Sequence, residues 1–442
     1  MDVKQLVRWN RPVPRYTSYP TAPYFYPLTA DDGTAAFQKF DQTDKPLSLY
    51  LHIPFCKSMC LFCACSVVLN RKPERQTAYV DLLCREIVLV ASHFSTRRRI
   101  TQLHFGGGTP TSLTESEIEQ ILSTLRTFFV FDLDAELSIE IDPRTVCEEM
   151  LRFLKRVGFS RVSFGVQDLD PKVQEAVRRR QSEECTVATF EMARELFTGI
   201  NLDLIYGLPF QTRASFQRTA QRIAELKPDR IALFSYAKVP QLKAHQKALP
   251  EEAEPNFEEK MEIYLDARNT FLQAGYCAIG MDHFALPSDD LVTGTIMRSF
   301  QGYAPKKAEN LIGLGVTSIG MVESIYLQNV KTLEEYEREI SSGHLPIFRG
   351  FVLGEEDKLR YWVIQSLMCR FEIDKMEFQQ RFHHSFDLLF HPDQRKEFLE
   401  EGLIEETESF LHATDFGRVV IRRIAALFDC YLTPTELHYS KL

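Results

Sequence analysis

From Ser48 to about Ile279, short runs rich in β-branched and aromatic residues alternate with helical periods, and this alternation restricts the fold more than any other feature. The runs are 47–53, 101–105, 136–141, 161–166, 201–205 and 230–236. Between the first two, Tyr79, Leu82, Leu83, Ile87 and Val90 recur at helical spacing. Thr114-Glu115-Ser116-Glu117 has the form of a capping box, and Asn256 can cap a helix that runs to Gly275. Repeated strand–helix units require a parallel sheet with right-handed crossovers. Six units are too few for an eight-fold barrel. The expected fold class is therefore α/β, a partial six-fold (β/α) barrel.

The alternation has limits at both ends. Residues 1–35 show no clear helix or strand, and the stretch Arg11-Pro12-Val13-Pro14-Arg15-Tyr16-Thr17-Ser18-Tyr19-Pro20 is expected to be extended and, given its aromatic content, docked. Residues 36–323 form the expected catalytic domain. Beyond Glu323, Leu359, Trp362, Val363 and Leu367 mark an amphipathic helix, followed by 397–402, a hairpin-like 403–412 and a helix near 414–428. That order, over 324–442, predicts a mainly helical, winged-helix-like C-terminal domain. Arg418, Arg422 and Arg423 could touch phosphates, but Glu400, Glu401, Glu405, Glu406 and Glu408 lie beside them in sequence. A cover over the catalytic domain is the better reading, since a winged-helix pattern alone is a weak warrant for DNA binding.

The net charge is 52 − 61 = −9, which disfavours nucleic acid and anionic membrane as partners. It equally disfavours an anionic substrate unless basic residues are gathered locally. Two arginine triplets exist, 97–99 and 178–180; the first follows a helix-like run and reads as a solvated helix end. Residues 1–15 contain no apolar core of a signal peptide, and no apolar run spans a membrane. With ten cysteines, these features predict a protein of the reducing cytoplasm rather than a disulfide framework.

Four of those cysteines fall in one loop after the first run: Cys56-Lys57-Ser58-Met59-Cys60-Leu61-Phe62-Cys63-Ala64-Cys65. Cys56, Cys60 and Cys63 follow C-x3-C-x2-C, a spacing that leaves one iron of a cubane cluster without a protein ligand. A four-thiolate zinc site is the competing reading, although zinc usually takes two separated cysteine pairs. The other run ends are polar as well: Gly106-Gly107-Gly108-Thr109-Pro110, Glu140-Ile141-Asp142, Gln167-Asp168, Asp203 and Tyr236-Ala237. A parallel barrel carries its chemistry at these C-terminal strand ends. The triple glycine permits close backbone approach and an anion-binding concavity of N–H groups. Glu136, Ser138 and Glu140 share one face of their strand, where a buried Glu140 or Asp203 needs a cationic or hydrogen-bonding partner.

The cysteine loop, with Phe62 before the third cysteine, resembles that of radical S-adenosylmethionine enzymes. The fourth cysteine, Cys65, together with Tyr50-Leu51-His52-Ile53-Pro54-Phe55 and the Arg-Tyr-Thr-Ser-Tyr-Pro segment, narrows the resemblance to oxygen-independent coproporphyrinogen III oxidases. It implies a [4Fe–4S] cluster on Cys56, Cys60 and Cys63 and two molecules of S-adenosylmethionine. The positions matching contacts to the first are Tyr50, Gly107, Glu140 and Ile319; those matching the second are Phe62, Gly108, Thr109, Gln167, Arg179, Asp203 and Ala237. Cys65 lies outside the ligand set and is a candidate for proton or electron transfer. Met281-Asp282-His283-Phe284-Ala285 and Phe300-Gln301-Gly302-Tyr303 also match family signatures. The implied reaction is oxidative decarboxylation of two propionates of coproporphyrinogen III through a 5′-deoxyadenosyl radical, giving protoporphyrinogen IX for haem synthesis. It implies an electron donor, an electron acceptor and a monomeric enzyme. The rivals are a haem-binding chaperone of the same family and a radical methyltransferase acting on haem. Ala64, where relatives often carry glycine, the arginines flanking Arg179, and a short 285–300 connection depart from the family pattern.

Overall fold

In this computed structural model, which describes residues 3–70, 72–305, 308–390, 392–432 and 439, the six runs become strands. They are β1 (Leu47–Ile53), β2 (Arg99–Gly107), β3 (Val130–Ile141), β4 (Arg161–Gln167), β5 (Gly199–Tyr206) and β6 (Arg230–Ser235). All six lie in chain order and pair in parallel. Helices return the chain between them: α1 (Pro73–Ala91), α2 (Glu115–Phe128), α3 (Glu148–Arg156), α4 (Pro171–Ala176), α5 (Glu183–Leu196) and α6 (Arg213–Leu226). The capping box at Thr114–Glu117 is present, and Asn256 caps α7 (Phe257–Gln273), beyond which Gly275 takes φ +92°.

The period-2 pattern decides what each face does. In β4, Val162, Phe164 and Val166 are buried in the core, and in β5 Leu202 and Leu204 are fully buried. The alternate residues Arg161, Ser163, Gly165 and Gln167, and Asn201, Asp203 and Ile205, line an internal cavity. The barrel interior is thus polar, and the hydrophobic core is the shell between sheet and helices.

The sheet extends beyond the six expected strands at both edges. Past β6 come β7 (Cys277–Ile279) and β8 (His283–Ala285), with β8 antiparallel to β6. A separate hairpin, β9 (Ile296–Ser299) and β10 (Gly302–Pro305), follows. At the other edge β11 (Asn310–Leu314) adds a seventh parallel strand beside β1. Then β12 (Ile319–Val322), β13 (Ile325–Asn329) and β14 (Ile347–Val352) continue antiparallel. Among the described residues the sheet has thirteen strands and is open, ending at Tyr26–Pro27 on one side and β7 on the other. Because β13 and β14 belong to it, the sheet crosses the boundary expected at residue 323 and ends at Val352.

Two other expectations are corrected. The N-terminal segment contains helices at Val3–Trp9 and Ala30–Asp41, while its Arg-Tyr-Thr-Ser-Tyr-Pro stretch is docked: Tyr16 and Tyr19 are at most 1% exposed. Tyr16 Oη donates to Asp429 at 3.0 Å, and Arg422 donates to the carbonyls of Val13 and Pro14. Arg422 is therefore turned inward as a tie to the N-terminal segment. The triplet 97–99 is no solvated helix end either. Helix α1 stops at Ala91, Arg98 is buried against the carbonyls of Thr43 and Lys45, and Arg97 reaches those of Arg126 and Phe129.

The C-terminal part is mainly helical, led by α8 (Glu355–Arg370), with a three-stranded sheet of Glu372–Asp374, Phe410–Ala413 and Ile404–Glu406. No helix among the described residues is long and apolar enough to cross a membrane.

A polar staple on α1 holds β1, the 315–318 turn and β13 together. Glu86, 1% exposed, accepts from Gly315 N–H, Asn329 Nδ2 and Tyr336 Oη, each at 2.6 Å. Tyr79 Oη donates to His52 O at 2.6 Å, immediately ahead of the cysteine loop. Burial pushes the Glu86 carboxyl up to about 7 against these three donors. A carboxyl raised on folding contributes stability that is complete below its unfolded value and is lost as pH rises through 7. Between about pH 5 and pH 8.5 the wild type should lose about 2–3 kcal/mol that Glu86→Gln does not lose. Parallel denaturant titrations of the two proteins check this, and identical pH profiles would show that Glu86 stays ionised throughout.

Candidate active site

The C-terminal ends of β1–β6 surround one cavity of about 820 Å³. Every site residue expected from the sequence lines it: Cys56, Cys60, Cys63, Cys65, Tyr50, Phe62, Gly107, Gly108, Thr109, Glu140, Gln167, Arg179, Asp203, Ala237 and Ile319. Ile319 arrives from β12, which β11 brings alongside β1. The geometry brings these side chains together without assigning their roles.

The cysteine loop is fastened from several sides. Phe55–Cys56 pairs with Val68–Leu69 at its base, and Leu61 N–H donates to Val177 O at 3.0 Å. A strap after β6 grips its carbonyls: Lys243 Nζ donates to Cys65 O at 2.6 Å, and His245 Nε2 lies 2.8 Å from Cys63 O. Gln246 Nε2 donates to both Phe62 O and Ala237 O at 3.0 Å, tying the loop to the end of β6. Sequence reasoning missed this strap, because its three polar residues lie some 180 positions away in an irregular segment.

The thiols sit in distinct environments. Cys60 is buried, and Arg144 Nη2 and Arg179 Nη1 approach its sulfur at 3.7 and 3.6 Å. Cys63 is pulled down to about 6, first by the hydrogen bond from Cys65, whereas burial pushes Cys56 up to about 11. Cys65 is exposed to the cavity. Among the described residues, no three His, Cys, Asp or Glu side chains converge as a single metal ion requires. A cubane cluster gives each thiolate its own iron and needs no such convergence. Three soft thiolates on one loop, two of them near guanidinium groups or a second thiol, fit an iron–sulfur cluster.

The glycine turn is bonded into the protein. Gly107 (φ +118°) donates its N–H to Glu140 Oε2 at 3.1 Å, Gly108 N–H to Ile53 O at 2.8 Å, and Thr109 N–H to Phe55 O at 2.9 Å. These three donors are engaged within the protein, while Gly107, Gly108 and Thr109 line the cavity. The glycines serve close packing on the cysteine loop. A Cβ at Gly108 would lie 2.7 Å from Phe55 O and 2.8 Å from Pro54 O. Gly108→Val is therefore expected to displace the base of the loop and to lower both reconstituted iron content and S-adenosylmethionine cleavage. Wild-type values of both would show that the turn tolerates a side chain.

The acidic groups are held apart electrostatically. Burial would raise Glu140, but His104 (Nε2 to Oε1, 3.3 Å) and the Gly107 N–H hold its carboxyl below the usual range. Asp203, bonded by Asn201 at 2.7 Å and Ser163 at 3.2 Å, is pushed up to about 6 by burial and then by Glu140. Asp142 is gripped by Arg144 at 2.6 Å and Arg179 at 3.4 Å. Arg144, just past the end of β3, and His104, inside β2, were not singled out in the sequence. Arg179 Nε, Asn201 Oδ1 and Tyr236 Oη are buried without a hydrogen-bond partner, so this wall is suited to a polar ligand.

Comparison with known proteins completes the assignment. The Radical SAM superfamily matches residues 50–223, and the HemN C-terminal domain matches residues 353–420. The chain is 40% identical over 440 residues to the oxygen-independent coproporphyrinogen III oxidase of Escherichia coli (strain K12), covering 98% of this chain and 95% of that one. It is 39% identical to the corresponding protein of Synechocystis over 439 residues, 97% and 94% of the two chains. The solved structure of coproporphyrinogen III oxidase (HemN) from Escherichia coli, described as a radical SAM enzyme, superposes with a TM-score of 0.89 at 40% identity, covering 95% of this chain and 98% of the other. The chain belongs to the oxygen-independent coproporphyrinogen III oxidase family of the Radical SAM superfamily.

Proposed function

We propose that this protein removes the carboxyl groups of two propionates of coproporphyrinogen III without oxygen, leaving the two vinyl groups of protoporphyrinogen IX. The observation that carries this reading is identity of about 40% along almost the whole chain, both domains included, with oxidases of that name. Membership in the superfamily implies a [4Fe–4S] cluster and S-adenosylmethionine. Cys56, Cys60 and Cys63 are the cluster ligands in this reading. Tyr50, Gly107, Glu140 and Ile319 hold one S-adenosylmethionine, and Phe62, Gly108, Thr109, Gln167, Arg179, Asp203 and Ala237 hold a second. When bound, these groups supply one-electron chemistry strong enough to take a hydrogen atom from an unactivated carbon.

The chain's own residues position, pair and shield. Each propionate loses one β-hydrogen atom, carbon dioxide and one electron, so the protein also works with an electron donor and an electron acceptor. In this reading Cys65, which lines the cavity beside Cys63, relays a proton or that electron. Tyr50, stacked on His104 with ring centroids 5.9 Å apart, walls the site near β1. The substrate carries four carboxylates, and in the cavity of this acidic chain Arg15 and Arg298 share the single carboxylate of Asp282. That local gathering answers the objection raised by the net charge.

The enzyme acts as a monomer in a reducing cytoplasm, without nucleic acid. The net charge of −9 and the buried, inward-turned Arg422 support the absence of nucleic acid in this reading. Anaerobic incubation with coproporphyrinogen III, dithionite and S-adenosylmethionine tests the function. Protoporphyrinogen IX with two carbon dioxide molecules per product is expected. Absence of product, with tight haem retention instead, would move the chain to a haem-binding role.

A further inference from the structure

Among the described residues, the cavity wall beyond β6 gathers two arginines and a histidine around one acid. Asp282, between β7 and β8 and 3% exposed, receives Arg15 Nη2 at 2.8 Å and His283 Nδ1 at 2.7 Å, with Arg298 Nη1 at 3.7 Å. These groups come from three parts of the chain: the docked N-terminal segment, the β7–β8 edge and β9. Burial would raise the Asp282 carboxyl, but Arg298, His283 and Arg15 hold it well below the usual carboxylate range. One carboxylate cannot neutralise both guanidinium groups.

Arg298 shows the imbalance most clearly. It is 3% exposed, its Nε donates to Arg15 O at 3.1 Å, and its guanidinium lies 4.5 Å over the Tyr303 ring. Its Nη1 has no hydrogen-bond partner. Deeper in the barrel the balance is different. Arg161 and Arg230 are matched by Glu136 and Asp289, with contacts of 2.8–3.4 Å. A buried cation without a matching anion is costly, and Arg15, His283 and Arg298 all line the cavity. Among the described residues Asp282 is the one carboxylate that Arg15 and Arg298 share, and the cavity offers a route for a second.

We propose that Arg15 and Arg298, flanked by His283 and aligned by Asp282, form a carboxylate subsite that anchors a propionate of the macrocyclic substrate. This rests on the proposed function and assigns it a substrate-binding end, opposite in strand order to the Asp142–Arg144–Arg179 group at the end of β3. Arg15 and Arg298 are substrate-binding residues in this view, and Asp282 is a positioning residue. It also gives the Arg-Tyr-Thr-Ser-Tyr-Pro segment a purpose: burial of Tyr16 and Tyr19 fixes the backbone that carries Arg15.

The test uses cluster-loaded enzyme under anaerobic conditions and reads the fluorescence of coproporphyrin III, the oxidised macrocycle with the same four carboxylates. Its tetramethyl ester, which carries none, is the uncharged control. Arg15→Met is expected to weaken coproporphyrin III binding by about 10-fold or more, as for loss of one member of a hydrogen-bonded charge pair. The ester should bind both proteins equally, and Arg15→Lys should recover part of the loss. Arg15 is partly exposed, so iron content and melting temperature should stay at wild-type values. In turnover, the loss should appear in KM rather than kcat. Equal coproporphyrin III affinity for wild type and Arg15→Met, or equal wild-type affinity for acid and ester, would overturn the subsite. A wild type that binds coproporphyrin III yet makes no protoporphyrinogen would overturn the proposed reaction while leaving the carboxylate subsite standing.

Discussion

Alanine at Cys56, Cys60 or Cys63 is expected to remove the brown iron–sulfur chromophore and reduce turnover to background, whereas Cys65→Ala keeps the chromophore. Anaerobic reconstitution of the wild type should give about four irons per chain. The loop's fastening makes this test clean. The Phe55–Cys56 ladder, the Leu61–Val177 hydrogen bond and the 243–246 strap all grip the backbone. Truncating one side chain leaves those restraints intact, so loss of iron reports on ligation rather than on a collapsed loop. Cys65 is the decisive control: it shares the loop and touches Cys63, but faces the cavity. Iron loss in Cys65→Ala, or zinc in place of iron in the wild type, would refute the ligand set. Retained iron with impaired decarboxylation would place Cys65 in the relay.

Much of this architecture was legible because the chemistry sits at strand ends and the strands announce themselves by period 2. In β5, Asn201 and Asp203 had to face a cavity once Leu202 and Leu204 faced the helices. The less legible elements lacked a local signal. β11 is five residues long, contains Gly313 and enters the sheet without a preceding crossover helix, so no strand–helix rhythm marks it. The helix Val3–Trp9 has only seven residues, too few to establish a 3.6-residue period. Arg98 was misread because charge suggests solvent, whereas its guanidinium caps buried carbonyls of Thr43 and Lys45 and lies over Phe40. The glycine turn is legible only in part. Sequence shows that glycine permits close approach but not which partner approaches, and here the partner is the cysteine loop itself. The Arg15–Asp282–Arg298 group joins residues up to 283 positions apart, a coincidence only the tertiary fold reveals.

Arg179→Ala is expected to weaken S-adenosylmethionine binding steeply while Arg178→Ala and Arg180→Ala change little. The three arginines are adjacent, yet the chain separates them. Arg178 takes φ +53° at the end of α4, which turns its neighbours to opposite sides. Arg180 points to solvent and pairs with Glu175, Arg178 is exposed, and Arg179 is 7% exposed inside the cavity wall. There Arg179 donates to Gly165 O at 2.7 Å, lies 3.4 Å from Asp142 and leaves Nε without a partner. If it anchors a cofactor carboxylate shielded from water, truncation leaves that charge unpaired at a cost of about 2–5 kcal/mol. At ~1.4 kcal/mol per decade this is roughly 30- to 4000-fold in affinity. An exposed arginine such as Arg180 gains little from its solvent-screened ion pair, and its loss is expected to change affinity by less than about tenfold. Asp142 keeps Arg144 at 2.6 Å, so the wall does not lose its internal pairing when Arg179 is removed. Because Arg179 Nη1 also approaches Cys60 Sγ at 3.6 Å, iron content must be measured beside binding. Retained iron with a steep, Arg179-specific loss establishes a cofactor contact, and Arg179→Lys should fall between, since it keeps the charge but not the planar fork. Three small, equal effects would show that this wall binds no cofactor carboxylate and that the proposed second S-adenosylmethionine site is wrong.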